Sequence, residues 1–285
     1  MTTPSIPPAI AARLIEIDDA DDPRVADYAD IRERDRIGGG GFIAEGTVVL
    51  DHLLTSERFR PTSLFVLKAR VAGLEPRLAR VPDDVPIFVT ERHVMDDVAG
   101  FAIHRGVLAH GIDRGHPDRA DTADPGLAGF LDATVASAGP LVVAIGLANH
   151  DNVGAIFRNA AAFGAAGVIL DATSCHPLYR KAIRVSVGTA LTLPWHHGAD
   201  LATIIAALEA AGRHLAALSP QGESGISALL QRGKLALLLG SEGTGLPEDV
   251  LSRCETVRIA MAPGIDSLNV ATSAAIVLSR LYSAA

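Results

Sequence analysis

From Leu141 to Tyr282, short apolar runs alternate with helix-period stretches, and no other feature constrains the fold as tightly. The runs Leu141 to Ile145, Val168 to Leu170, Leu191 to Trp195, His214 to Leu218, Leu235 to Leu239 and Thr256 to Ile259 are too short for helices. They lack polar alternation and predict strands buried on both faces. Val153 to Phe163, Leu178 to Val187, Leu201 to Ala211 and Leu268 to Tyr282 predict the helices between them. The expected architecture is α/β, a mostly parallel sheet with helices on both faces.

A second, smaller α/β pattern precedes it. Strand-like runs at Gly41 to Gly46, Ser63 to Leu67, Ile87 to Val89 and Gly106 to Ala109 are separated by helical stretches. Around Gly111 to Pro125 the chain turns polar and apolar periodicity stops. The predicted division is a leader over 1–21, a small domain over 22–110, a linker over 111–126 and a larger domain over 127–285. The run Gly38-Gly39-Gly40-Gly41 is expected to be a flexible hinge.

With 285 residues, 48% of them hydrophobic, the chain has material for two cores. A net charge of -8 excludes a surface that attracts nucleic acid everywhere, though it leaves room for a local basic patch. Two distant cysteines, Cys175 and Cys254, support neither a disulfide framework nor a zinc site; they are expected to be inert thiols in a reducing cytoplasm. No apolar run approaches membrane-spanning length, and the N-terminus lacks a signal-peptide pattern. His196 and His197 lack a third ligand at useful spacing, so no metal is expected.

Three loops at predicted strand ends carry the chemistry, since ligands of α/β sheets bind where strands end. In the first, Asn149 to Gly154, Asp151 or Asn152 is expected to cap the following helix. Further along that helix Arg158 sits among small and apolar residues, where a buried guanidinium would need a facing anion. In the second, Gly240-Ser241-Glu242-Gly243-Thr244-Gly245 offers bare backbone for a flat ring or ribose, with Glu242 placed to hold a partner loop or a hydroxyl. In the third, Ser267 is expected to open the last helix, leaving Asn269 as a mid-helix amide in need of partners. Strand, loop, helix and a strand ending in Asp171 also suggest a dinucleotide site. The glycines are wrongly spaced for one, and Asp171 reads as a turn residue. Two basic groups stand out: Arg180, Lys181 and Arg184 in the second domain, and Arg32, Arg34 and Arg36 in the first; the latter group, interleaved with acids, reads equally as a solvated face or as RNA contacts.

In this order the loops resemble the motifs of the SpoU/TrmH-type RNA 2'-O-ribose methyltransferases of the SPOUT superfamily. Asn152-x-Gly154-x-x-x-Arg158-Asn159-Ala160 is similar to the first motif, Leu239 to Gly243 to the second and Ser267 to Ala271 to the third. Arg184 to Gly188 is similar to a further family segment. More weakly, Phe42 to Gly46 and His104 to Ala109 resemble edges of the family's L30e-like substrate-binding domain. The resemblance implies a SPOUT-type trefoil knot, a homodimer and S-adenosylmethionine as cofactor. It implies that Leu239, Gly240, Gly243, Gly245, Ile259, Met261 and Leu268 hold the cofactor. Arg158, Asn152, Ser267, Asn269 and Glu242 would serve the chemistry, and Arg158, Arg184, Arg32 and Arg36 would contact rRNA or tRNA. Two places depart from the common pattern: Asn149-His150 replaces Asp-Pro, and Ala260 replaces Pro. The alternatives are a non-catalytic RNA-binding protein that keeps the fold and, on fold analogy alone, a nicotinamide-linked oxidoreductase.

Overall fold

The computed structural model describes residues 7–29, 33–115 and 126–282. By its contacts the chain divides into two compact units, Met1–Asp124 with Leu178–Thr192, and Pro125–Pro177 with Leu193–Ala285. The segment Leu178–Thr192 thus groups with the first unit, although its sequence lies inside the range expected for the second domain.

The first unit holds strands β1 (Leu14–Glu16), β2 (Gly41–Glu45), β3 (Phe59–Leu67), β4 (Ile87–Thr90) and β5 (Val107–Asp113), in the spatial order β1-β4-β3-β5-β2. The β1, β4 and β3 strands run parallel, whereas β5 is antiparallel to both β3 and β2. A register shift falls between Pro61 and Ser63, where proline has no N–H to give the ladder. Three expectations change here. The leader contains β1, which at three residues is too short to show a period. The last strand, β5, runs on to Asp113, beyond the expected boundary at 110. Gly41 is no hinge: it opens β2, and a Cβ there would stand 2.8 Å from His110 Nε2.

The second unit holds β6 (Leu141–Ala144), β7 (Gly167–Asp171), β8 (Trp195–Ala199), β9 (His214–Leu218), β10 (Ser224–Gly225), β11 (Leu235–Leu239) and β12 (Glu255–Arg258). All are parallel, in the order β10-β12-β9-β11-β6-β7-β8. On one face Leu141, Val143, Ile169, Ala217 and Leu238 pack with Phe130, Ile204 and Leu208 from the helices Gly126–Ala133 and Leu201–Ala210. The helices His150–Ala162 and Val270–Tyr282 pack on each other, and Asn159 Nδ2 donates to Ala271 O at 2.9 Å. The strand expected over 191–195 begins instead at Trp195, after Pro194, so His196 and His197 lie within β8 rather than beyond it. From β6 the chain first builds outward through β7 and β8, then places β11 on β6's other edge. The carboxyl ends of β6 and β11 thus flank a topological switch point, while a cleft opens one strand further along, at the ends of β9, β11 and β12. Among the described residues no helix is long and apolar enough to cross a membrane.

Candidate active site

The helix His150–Ala162 is capped by Asn149, whose side chain accepts from the Asp151 N–H at 2.9 Å, and not by Asp151 or Asn152 as expected. Asn149 has the extended backbone a cap requires, which leaves the Asn152 side chain inside the first helical turn. Asn152 is only 6% exposed. Its Nδ2 donates to Glu242 Oε1 at 2.5 Å, and its Oδ1 accepts from Asn269 Nδ2 at 2.9 Å. Asn269 Nδ2 also approaches Glu242 Oε1 at 3.2 Å. One carboxylate and two amides therefore join all three loops, and the amide Asn152 buries is paired at both ends.

Asn269 is not a mid-helix residue. Its Oδ1 accepts from the N–H groups of Ala271 at 3.0 Å and Thr272 at 3.1 Å, so it caps the helix Val270–Tyr282 while its amide nitrogen holds the clamp. Ser267, expected as that cap, lies two residues earlier and faces a cleft instead. The shift has a physical basis: asparagine caps at least as well as serine and is long enough to serve both ends of its amide.

The glycine loop follows β11 and folds back on itself. Gly245 N–H donates to Ser241 O at 3.1 Å, and the Ser241 and Thr244 hydroxyls are 2.8 Å apart. At Gly240 a Cβ would lie 2.3 Å from the Gly245 carbonyl carbon and 2.5 Å from the Leu246 nitrogen, so no side chain fits there. Gly245 has φ +68, a conformation glycine adopts without strain.

Beside this loop opens a cleft of about 560 Å³ between the tips of β9, β11 and β12 and the start of the last helix. Leu239, Gly240, Gly243 and Gly245 line it from the glycine loop. Ile259, Met261 and Leu268 line it from the segment after β12, joined by Glu242, Ser267 and Asn269. Asn152 lies behind the lining and reaches it through Glu242 and Asn269. Sequence reasoning missed the turn Ser219-Pro220-Gln221, which closes the cleft from β9. Its signal was present, since it too follows an apolar run, and the next residue, Gly222, lies where a Cβ would stand 2.4 Å from the Val257 backbone.

Arg158 does not join this group. It lies on the exposed face of its helix and has no hydrogen bond or ion pair within the described residues. The burial inferred from its apolar surroundings is therefore absent: Ala155 and Ala161, one turn away on its face of the helix, are only half-buried and Ala162 is exposed. Arg184 is exposed in the first unit. Arg36 donates from Nη2 to Ala29 O at 3.1 Å, and Arg32 lies outside the described residues. The lining of the cleft contains no lysine or arginine among the described residues.

At the neighbouring strand end, Asp171 ties the loops after β6 and β7. It accepts from the Gly146 N–H at 2.9 Å, the Ser174 N–H at 3.1 Å and the Ser174 hydroxyl at 2.5 Å, and it also pairs with the Thr173 hydroxyl. Burial alone would raise this carboxyl, but those hydroxyl and N–H bonds hold it below its ordinary 3.8. With its oxygens committed to the turn, Asp171 is unavailable as the ribose-binding acid of a dinucleotide site. Cys175 and Cys254 are free thiols, and burial pushes each up to about 11.

Fold and site together define an α/β protein with a strand-tip cleft for a small molecule. The model of the SpoU rRNA methylase family matches residues 140–279. An uncharacterised tRNA/rRNA methyltransferase of Mycobacterium tuberculosis is 37% identical over 271 residues, covering 92% of this chain and 89% of that protein. A 23S rRNA (guanosine-2'-O-)-methyltransferase of Photobacterium profundum is 30% identical over 231 residues, 79% of this chain and 91% of its own. In fold, the chain is similar to an AdoMet-bound rRNA methyltransferase from Sinorhizobium meliloti. That structure matches with a TM-score of 0.78 at 22% identity, covering 95% of this chain and 98% of the other. The chain belongs to the SpoU rRNA methylase family.

Proposed function

We propose that this protein transfers the methyl group of S-adenosylmethionine to a ribose 2'-hydroxyl in structured rRNA or tRNA. The observation that carries the reading is the cleft, whose floor at Gly240 is bare backbone and whose glycine loop is clamped to two helix N-termini. Its volume lies within the roughly 300–1,000 Å³ usual for small-molecule sites. Peptide groups at Gly240 and Gly245, with apolar walls from Leu239, Ile259 and Leu268, fit a flat purine and its ribose. Ser219, Glu242 and Ser267 supply hydrogen-bonding groups at the rim. When bound, the cofactor supplies an electrophilic sulfonium methyl, which needs in-line placement of the acceptor and no metal.

The chain's own residues have the remaining work. A ribose hydroxyl becomes nucleophilic only as its proton leaves, and a fixed positive group stabilises the alkoxide that develops. Arg158, exposed and without a hydrogen bond or ion pair among the described residues, is the residue we assign to that charge and to the adjoining phosphate. Asn152, Glu242 and Asn269 hold the glycine loop in place, and Ser267 positions the nucleotide. Because the lining of the cleft has no lysine or arginine among the described residues, we read the protein as a homodimer in which Arg158 of one copy serves the cleft of the other. The second unit would carry the family's trefoil knot. The first would be an L30e-like domain that, with Arg184, Arg36 and Arg32, engages the RNA. The two free thiols accord with a cytoplasmic setting.

Incubating the purified protein with tritiated methyl donor and total RNA tests this reading. Label is expected in RNA from wild type and a loss of at least about a hundredfold in Arg158→Ala, the scale of removing one electrostatic stabiliser. Cofactor binding without transfer would indicate an RNA-binding protein that keeps the fold. Undiminished transfer by the variant would remove Arg158 from the site.

A further inference from the structure

At the end of β2 in the first unit, Glu45 is 6% exposed and its Oε2 has no hydrogen-bond partner. That oxygen lies 3.9 Å from Arg180 Nε, too far for a hydrogen bond but close enough for an ionic hold. The Arg180 guanidinium in turn lies over the Phe101 ring, its central carbon 4.2 Å from the ring centroid. Phe101 is 40% exposed.

The turn presenting Phe101 is built rather than loose. Gly100, at φ +76, ends the helix Arg92–Ala99 in the left-handed conformation. Asp96 Oδ1 accepts from the Ile103 N–H at 2.7 Å, and Arg92 Nη1 donates to Ile103 O at 2.9 Å. Two further arginines flank this stack. Arg184 lies one helical turn beyond Arg180 in the helix Arg180–Val185 and is exposed. Arg105 lies across Gly46, where a Cβ would stand 2.7 Å from its side chain. Neither Arg184 nor Arg105 is paired within the described residues. A single exposed aromatic needs no explanation. An exposed aromatic stacked by a guanidinium, which a buried acid holds in place and two further arginines flank, is a flat amphipathic platform on a chain whose net charge is -8.

We propose that Arg180 and Phe101 form a stacking platform for one unpaired base of the RNA, with Arg184 and Arg105 taking the flanking phosphates and Glu45 as the positioning residue for Arg180. This rests on the reading of the protein as acting on RNA and names where the first unit would grip it. Aromatic rings and guanidinium planes are the surfaces on which splayed RNA bases stack. Phosphates flanking the base would meet arginines, while the stack itself carries no net dependence on salt.

The test is fluorescence anisotropy of the full-length protein with a fluorescein-labelled, unstructured 12-nucleotide RNA, across a salt series. Phe101→Leu and Arg180→Lys are expected to weaken binding about fivefold to tenfold, the scale of one lost stack, with the slope of log Kd against log salt unchanged. Glu45→Gln is expected to weaken it by a smaller factor, again at constant slope. Arg184→Ala is expected to lower the slope by about one. Melting temperatures separate these effects from misfolding, and Arg180→Lys keeps the charge while losing the plane. Wild-type binding with Phe101→Leu and Arg180→Lys indistinguishable from it would overturn the platform alone. Wild type that binds no RNA would overturn both the platform and the RNA reading.

Discussion

Replacing Asn269 by serine separates its two duties, because serine can still cap the last helix but cannot reach Glu242 and Asn152. The variant loses the donor to Glu242 Oε1 at 3.2 Å and the donor to Asn152 Oδ1 at 2.9 Å. A hydrogen bond to a charged group contributes about 1.5–3 kcal/mol when shielded, and about 1 here because Glu242 is exposed. Leaving the buried Asn152 oxygen without its donor costs about 1 more. Asn269→Ser should therefore lose about 2 kcal/mol, and Asn269→Ala about 3, since the cap contributes roughly 1. Asn269→Asp keeps the cap but sets a second carboxylate against Glu242. It should lose more than the serine variant at pH 7, because like charges that close repel. Urea denaturation reads these differences, and calorimetry with S-adenosylmethionine should show weaker binding as the glycine loop is released. A serine variant within about 0.5 kcal/mol of wild type, the scatter of a surface substitution, would refute the clamp.

Other perturbations address separate parts of the structure. Gly240→Ala should abolish cofactor binding by calorimetry, because its Cβ meets backbone at 2.3 Å, while Gly243→Ala, with nothing within 4 Å, should bind normally. Asp171→Ala strips acceptors from the Gly146 N–H and the Ser174 and Thr173 hydroxyls and should cost about 2–3 kcal/mol in urea denaturation at pH 7. Because the folded protein holds this carboxyl below 3.8, its contribution is present above that pH and fades as the pH falls below it. Wild type should accordingly converge on the variant under acid. Both thiols, pushed up to about 11, should react far more slowly with iodoacetamide at pH 7.5 in native protein than in urea. If the dimer reading holds, light scattering should give about twice the 29.7 kDa chain mass. Mixing Arg158→Ala with Gly240→Ala should then restore part of the activity that each lacks alone.

The strands buried on both faces were legible because they need no alternation: β9 and β11 span the residues their apolar runs predict. Glycine and proline punctuation marked the loops at their tips. Strand order was not legible, since nothing local tells β11 to insert between β9 and β6. Nor was the grouping of Leu178–Thr192 with the first unit, a matter of packing rather than pattern. The clamp spans 90 residues from Asn152 to Glu242 and 117 to Asn269, so the sequence showed a candidate cap at Asn152, a loop-holding acid at Glu242 and an amide in need of partners at Asn269 without showing that they meet one another. The exposed side of Arg158 was hidden because its helix carries Ala155, Ala161 and Ala162, which contrast with neither solvent nor core. In β8 the offset follows from Pro194, and an edge strand leaves little apolar pattern to correct it.

Mass spectrometry of nucleosides from RNA methylated in vitro by the purified protein tests directly where the methyl goes. The transferred methyl is expected on a ribose 2'-oxygen, where it protects the adjoining phosphodiester from alkaline cleavage. A methyl found on a base, with the sugar unmodified, would contradict this expectation.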